Sequence, residues 1–198
     1  MRAVWMAGLA VVLAVAGCRW FDTRDPLPGE PETPVPWQSP TEPEIVLANM
    51  DSALIYLGRG IDNYQRCLGD TFHFYPLDDD RATLEAQGKP NAYDDWDREV
   101  EREVMDLVLN SAKSVDLTFS DQEVIADEPE FKKWEEHYLL VIEWLSGETG
   151  VYEGNCQMEI RIDPEQANQW FIEKWGDVET PGQEHETWGR LRGEKRQI

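Results

Sequence analysis

The apolar positions recur every three to four residues in the early part of the chain and every second residue later on. Val46, Leu47, Met50, Ala53, Leu54 and Leu57 put one apolar stripe on a helix, and Gly58 and Gly60 end it. Thr41-Glu42-Pro43-Glu44 has capping-box spacing ahead of that stripe, with proline in the first turn. A short second helix starts at Asp62 and carries Tyr64, Cys67 and Leu68. Residues 71–75 alternate and read as a strand stopped by Pro76. The acidic Asp78-Asp79-Asp80 and the residues on to about 94 read as loop. Trp96, Val100, Val104, Leu107 and Val108 mark a third helix.

From there the period falls to two. Residues 113–120 alternate, with Val115, Leu117 and Phe119 on one face. Residues 134–145 carry Tyr138, Leu140, Ile142 and Trp144 on one side and Leu139 and Val141 on the other, which predicts a central strand buried on both faces. Residues 152–162 place Cys156, Met158, Ile160 and Ile162 together, and 169–175 form a last strand. Helices first and an antiparallel meander last predict an α+β domain over 42–177, its N-terminal helices packed on one face of a curved, mainly antiparallel sheet. Residues 178–198 are polar, end in Arg190, Arg192, Lys195 and Arg196, and read as a mobile tail.

The ends of the chain have a different character. Arg2 is the only charge before Arg19, and 3–17 is an uncharged, mostly apolar run of 15 residues closing on Val15-Ala16-Gly17-Cys18. Residues 1–17 therefore read as a signal peptide. Val-Ala-Gly-Cys resembles the lipobox of bacterial lipoproteins, which implies acylation of Cys18; the alternative is an ordinary secretory signal with a chance cysteine. Arg19, in place of the aspartate that retains many such proteins in the inner membrane, favours the outer membrane by the same resemblance. Residues 18–41 read as an extended tether, because seven of the 12 prolines fall between 26 and 43. Trp20 and Phe21 suit the lipid interface beside Cys18.

Charge narrows the partners. Eighteen Lys and Arg face 40 Asp and Glu in 198 residues, a formal charge of −22 that repels phosphate backbones and excludes nucleic acid as the partner. Removing the first 17 residues, with the single cation Arg2, leaves 181 residues at −23, so the domain is expected to stand off anionic headgroups. Three cysteines cannot build a disulfide scaffold. With Cys18 acylated, Cys67 and Cys156 are expected as two buried free thiols.

Two passages carry a family resemblance. Ile61-Asp62-Asn63-Tyr64, running on to Leu68-Gly69-Asp70-Thr71-Phe72-His73-Phe74-Tyr75-Pro76, is similar to the helix–Asp–aromatic-strand passage of the nuclear-transport-factor-two-like (cystatin-like) superfamily. Trp170 to Asp177 resembles its final-strand pattern W-x-I-x-x-W-x-D. Together with the lipobox and the proline-rich spacer, this resembles a group of uncharacterised bacterial lipoproteins. The resemblance implies a cone-shaped domain with an interior cavity, and a sheet-to-sheet homodimer as in many relatives. It does not imply an activity, because this fold hosts enzymes, carriers and interaction domains.

The chemistry of the expected cavity is thin. His185 falls in the tail; His73 shares a strand face with Thr71 and Tyr75, and His137 lies near the start of the long strand. A dyad such as His73 with Asp116 is the catalytic candidate, though no spacing argues for it. The resemblance puts an isomerase's carboxylate base where Tyr75 stands, and a phenol of ordinary pKa, ~10, is a poor carbon base. Asp78-Asp79-Asp80 lacks the glycine and distal glutamate of a calcium loop, so no metal is expected. Phosphate loops, nucleophile motifs and cysteine knuckles are absent, so no cofactor is expected. Trp134, Trp144, Trp170 and Trp175 read as core; a ligand cavity, if present, would be lined by Tyr75, Tyr138, Trp144 and Trp170. Two readings stay open. One is a non-catalytic envelope lipoprotein binding a partner protein or small apolar ligand. The other is a polyketide-cyclase-like or isomerase-like enzyme with a dispersed acid–base pair. A cavity filled by Trp and Tyr favours the first; a buried His or carboxylate at its floor favours the second.

Overall fold

A computed structural model describes residues 34–197. The expected signal segment, Cys18 and the expected tether up to residue 33, with Trp20 and Phe21, lie outside the described residues. The element order is α1 (Pro43–Ile55), α2 (Ile61–Arg66), β1 (Leu68–Tyr75), α3 (Asp78–Ala86), α4 (Arg98–Ser111), β2 (Ala112–Glu128), β3 (Phe131–Trp144), β4 (Thr149–Asp163), β5 (Gln169–Val178) and α5 (Trp188–Lys195).

The early helices follow their apolar stripes. In α1, Val46, Met50, Ala53 and Leu54 are fully buried. Its N-cap is Glu42 with Pro43 at the first position and no side-chain cap, so the expected capping box is not formed. α4 is capped by Asp97, whose carboxylate accepts from the amides of Glu99 (3.0 Å) and Val100 (2.9 Å). Trp96 therefore stands outside the helix it was expected to begin.

The strands form one five-stranded sheet ordered β1-β5-β4-β3-β2. β2 to β5 are the antiparallel meander, and β1 joins β5 in parallel. The inner face carries Leu117, Tyr138, Leu140, Ile142, Cys156, Met158, Ile160, Ile172 and Trp175, all buried against the helices. Cys67 and Cys156 are buried and free. The long strand β3 is not covered on both sides as expected. Leu139 is 38% exposed on the outer face, which is laced with ion pairs such as Lys174–Glu159 at 2.9 Å and Lys133–Glu159 at 3.5 Å.

Three segments differ from their sequence reading. Residues 78–86 are helix α3 rather than loop: the three aspartates occupy its first turn, at the positive end of the helix dipole, and Leu84 is fully buried. The last stretch of the tether is docked. Asn49 exchanges two hydrogen bonds with the Gln38 backbone (3.0 and 2.7 Å), Asn63 donates to the Pro36 carbonyl (3.1 Å), and Arg66 stacks on Trp37. Residues 188–195 are not a mobile tail. They form α5, in which Trp188, Leu191 and Arg192 are buried. Among the described residues no helix is long and apolar enough to cross a membrane.

Candidate functional site

The helix α5 packs between the sheet and helices α3 and α4. Thr187 caps it, accepting from the Arg190 amide at 2.7 Å, and hydrogen-bonds to Asp80 of α3. The Trp188 amide donates to the Tyr138 hydroxyl (3.0 Å), the Gly189 amide to Asp177 (2.9 Å), and the Tyr93 hydroxyl to the Gly189 carbonyl (2.9 Å). Its two glycines are required by this close approach. A Cβ at Gly189 would strike Asp177 and lie 3.0 Å from Phe74; one at Gly193 would strike Leu84 and lie 2.6 Å from Tyr93.

At the centre is a charge pair with no exposure on either side, Glu101 of α4 with Arg192. Glu101 accepts from the Tyr64 hydroxyl (2.6 Å), Trp96 Nε1 (2.8 Å) and Arg192 Nε (3.0 Å). The guanidinium is ringed by Trp188, Phe74 and Trp175, their centroids 4.3, 4.5 and 4.6 Å from its central carbon. Burial opposes the Arg192 charge, but Glu101, Tyr64 and Asp177 more than offset this and hold it above the ordinary guanidinium range. Arg192 Nη2 lies 3.0 Å from the same Glu101 oxygen as Nε, outside hydrogen-bond alignment, and Arg192 Nη1 and Trp188 Nε1 have no hydrogen-bond partner among the described residues.

Asp177, two residues after Trp175 on the same strand face, is, like Asp80 and Glu136, another buried carboxyl. Burial pushes it up to about 7, against the pull of Arg192 and of the hydrogen bonds from Trp175 Nε1 (3.3 Å) and Gly189. Burial likewise raises the Tyr138 and Tyr64 hydroxyls, beside Asp177 and Glu101 respectively.

The sequence candidates are scattered by this arrangement. His73 and Asp116 sit on β1 and β2, the opposite edges of the sheet with three strands between them, so they form no dyad. Their side chains, like that of Tyr75 (50% exposed), point away from the core because they alternate with buried Phe72, Phe74, Val115 and Leu117. His137 is also outside, 3.1 Å from Asn155 and 3.5 Å from Glu153. Of the four proposed lining residues only Tyr138 reaches the central cluster. Trp144 is half-buried under Lys195, and Trp170 is buried near Pro40, to whose carbonyl its amide donates (2.8 Å). Cys18 lies outside the described residues.

Glu101, Asp177 and Arg192 were not selected as site residues from the sequence. Glu101 had a readable signal: it precedes Val104, Met105 and Val108 by three, four and seven residues, on the buried stripe of α4. Among the described residues no group of three or more His, Cys, Asp or Glu is arranged to hold a metal ion. A surface cleft of about 490 Å³ runs between α1 and β2, with Glu44, Asp51, Asp121 and Glu136 above Leu47 and Leu117.

No family model and no curated relative matches the chain. Solved structures do. A candidate scytalone dehydratase from Novosphingobium aromaticivorans superposes with a TM-score of 0.54 at 6% identity, over 74% of this chain and 90% of that one. A candidate aromatic ring hydroxylase from the same organism gives 0.53 at 10%, over 68% and 83%. An NTF2-like protein of unknown function in nutrient uptake from Rhodospirillum rubrum gives 0.52 at 11%, over 70% and 98%. The fold is therefore nuclear-transport-factor-two-like. In this chain's described domain the last helix, α5, packs inside the fold.

Proposed function

We propose that this chain is a lipid-anchored lipoprotein of the bacterial cell envelope, held in the outer membrane through acyl chains on Cys18, whose domain is a non-catalytic binding module for a partner protein. The observation that carries the reading is the occupied interior. Substrate chemistry in a cone needs an open volume; Trp188, Leu191 and Arg192 take the part beside α3 and α4, and the cleft left open between α1 and β2 is lined by carboxylates with no histidine. The same occupancy favours a protein partner over a small apolar ligand. A second copy is a candidate partner through the outer sheet face, where Leu139, Val141 and Val151 form an apolar strip between ion pairs.

The isomerase-like alternative is favoured by two features, the Asp177 carboxyl raised to about 7 as a general base requires, and Glu136, buried in the wall of the cleft, whose carboxyl burial raises above the ordinary range. Against it, both Asp177 oxygens already accept hydrogen bonds, from Trp175 and Gly189, and α5 covers it. The likeness to a candidate dehydratase and hydroxylase carries no residue across at 6% and 10% identity.

The test has two arms. Acyl-chain labelling in the native host should appear on the wild type and vanish in Cys18→Ser. Purified protein screened against ketosteroid and polyketide-type substrates should show no turnover; turnover abolished by Asp177→Asn would promote the enzyme reading.

A further inference from the structure

The connector between β5 and α5, residues 179–187, closes a very short gap: Asp177 and Gly189 are already hydrogen-bonded at 2.9 Å. An extended stretch of that length reaches about 30 Å, so the connector holds slack. It leans on β4 through the Asn155 amide to Thr180 (2.8 Å) and the Glu153 amide to Glu186 (2.9 Å). Nothing in its length ties α5 to its present place.

What α5 covers is arranged as a receptor. Glu101 is held by Tyr64 and Trp96, and the Phe74 and Trp175 rings stand on the sheet; none of these belongs to α5. A carboxylate at the end of a slot walled by aromatic rings is the chemistry that selects a guanidinium over an ammonium. The resident occupant fits it incompletely, since Arg192 Nε and Nη2 both converge at 3.0 Å on one Glu101 oxygen, Oε1, and Nη1 lacks a partner. An arginine arriving on a different backbone can spread two nitrogens over both carboxylate oxygens, the fork-on-fork geometry that Arg192, with both nitrogens on Oε1, does not make.

We propose that the cone is a recognition pocket for an arginine side chain carried on a segment of a partner protein, and that α5 is a releasable strap occupying the pocket in cis. This deepens the binding-module reading and rests on it.

The probe is a labelled peptide of residues 184–197, titrated into the full chain. Gly193→Val drives a side chain into Leu84 and Tyr93, expelling the strap without touching Glu101, Phe74 or Trp175. This variant should bind the peptide saturably with one site. The wild type should bind at least tenfold more weakly, because its own helix competes. A peptide with Arg192→Ala should lose at least tenfold on the variant, and Arg192→Lys should not restore it. A folded Gly193→Val chain that ignores the peptide, or binds both peptides equally, overturns the proposal. Amide exchange in the wild type gives an independent check. Residues 190–194 should exchange at least tenfold faster than the inner strands β3 and β4, and equal rates would show a strap that opens only when the whole domain unfolds. Enzymatic turnover would remove the binding-module reading while leaving peptide discrimination standing, so the two failures are distinguishable.

Discussion

Consider the removal of each partner of the central charge pair in turn. Arg192→Met keeps most of the side-chain length but leaves Glu101, with no exposure, facing two neutral donors, Tyr64 and Trp96. Glu101→Gln leaves the guanidinium buried with no counter-charge at its Nε edge. Breaking a buried pair from either side costs about 3–5 kcal/mol, because an uncompensated charge remains. Arg192→Met also forfeits contact with three rings, worth ~0.5–2 kcal/mol for each desolvated cation–π contact. The double variant has no buried charge left at this position and should cost less than the sum by about 2–4 kcal/mol. For a domain of this size each kcal/mol moves Tm by ~2–4 °C, so either single change should lower it by roughly 6–20 °C. Urea unfolding at pH 7, followed by tryptophan fluorescence and circular dichroism, gives all four corners of the cycle. Single variants costing under ~1 kcal/mol, or a coupling below ~0.5 kcal/mol, would refute a pair buried under α5.

Three further outcomes follow from the same packing. Asp177 is raised to about 7 against an ordinary 3.8, so its contribution to stability is full below pH ~4 and lost as pH rises through about 7. Asp177→Asn, measured by urea unfolding across that range, should match the wild type at pH 4 and exceed it by up to about 4 kcal/mol at pH 8; parallel curves contradict the shift. Gly193→Ala should destabilise by ~1–3 kcal/mol through overpacking on Leu84 and Tyr93, whereas Gly147→Ala, with open space around its Cβ, should show only the cost of its left-handed backbone. Limited proteolysis should cut within 179–187 and before residue 35 while sparing 35–41, whose backbone is held by Asn49 and Asn63; early cleavage after Trp37 would contradict the docking.

The strands were legible because alternation survives burial. Val115, Leu117, Tyr138, Leu140, Ile142, Cys156, Met158 and Ile160 all face inward as their spacing implies. What misled was charge. Asp78-Asp79-Asp80 reads as a solvated loop by composition, yet aspartates in a first turn favour a helix through its dipole. Trp188-Gly189-Arg190-Leu191-Arg192-Gly193 has two poor helix formers, two arginines and no apolar stripe, so nothing local predicts α5. Its helix is imposed by tertiary contacts that only the assembled cone supplies, with Glu101 and Asp80 waiting for the arginine partners. The candidate site shared this fate: its chemistry lies in a pairing ninety-one residues apart, invisible to any spacing argument.

The claim that the cone is filled by the chain's own arginine is tested most directly by arginine side-chain NMR. The Arg192 Nε–H resonance, assigned by its disappearance in Arg192→Lys, should persist after transfer into D2O and shift in Glu101→Gln. Exchange of every arginine Nε–H within the dead time, with no resonance responding to Glu101→Gln, would contradict an interior occupied by α5.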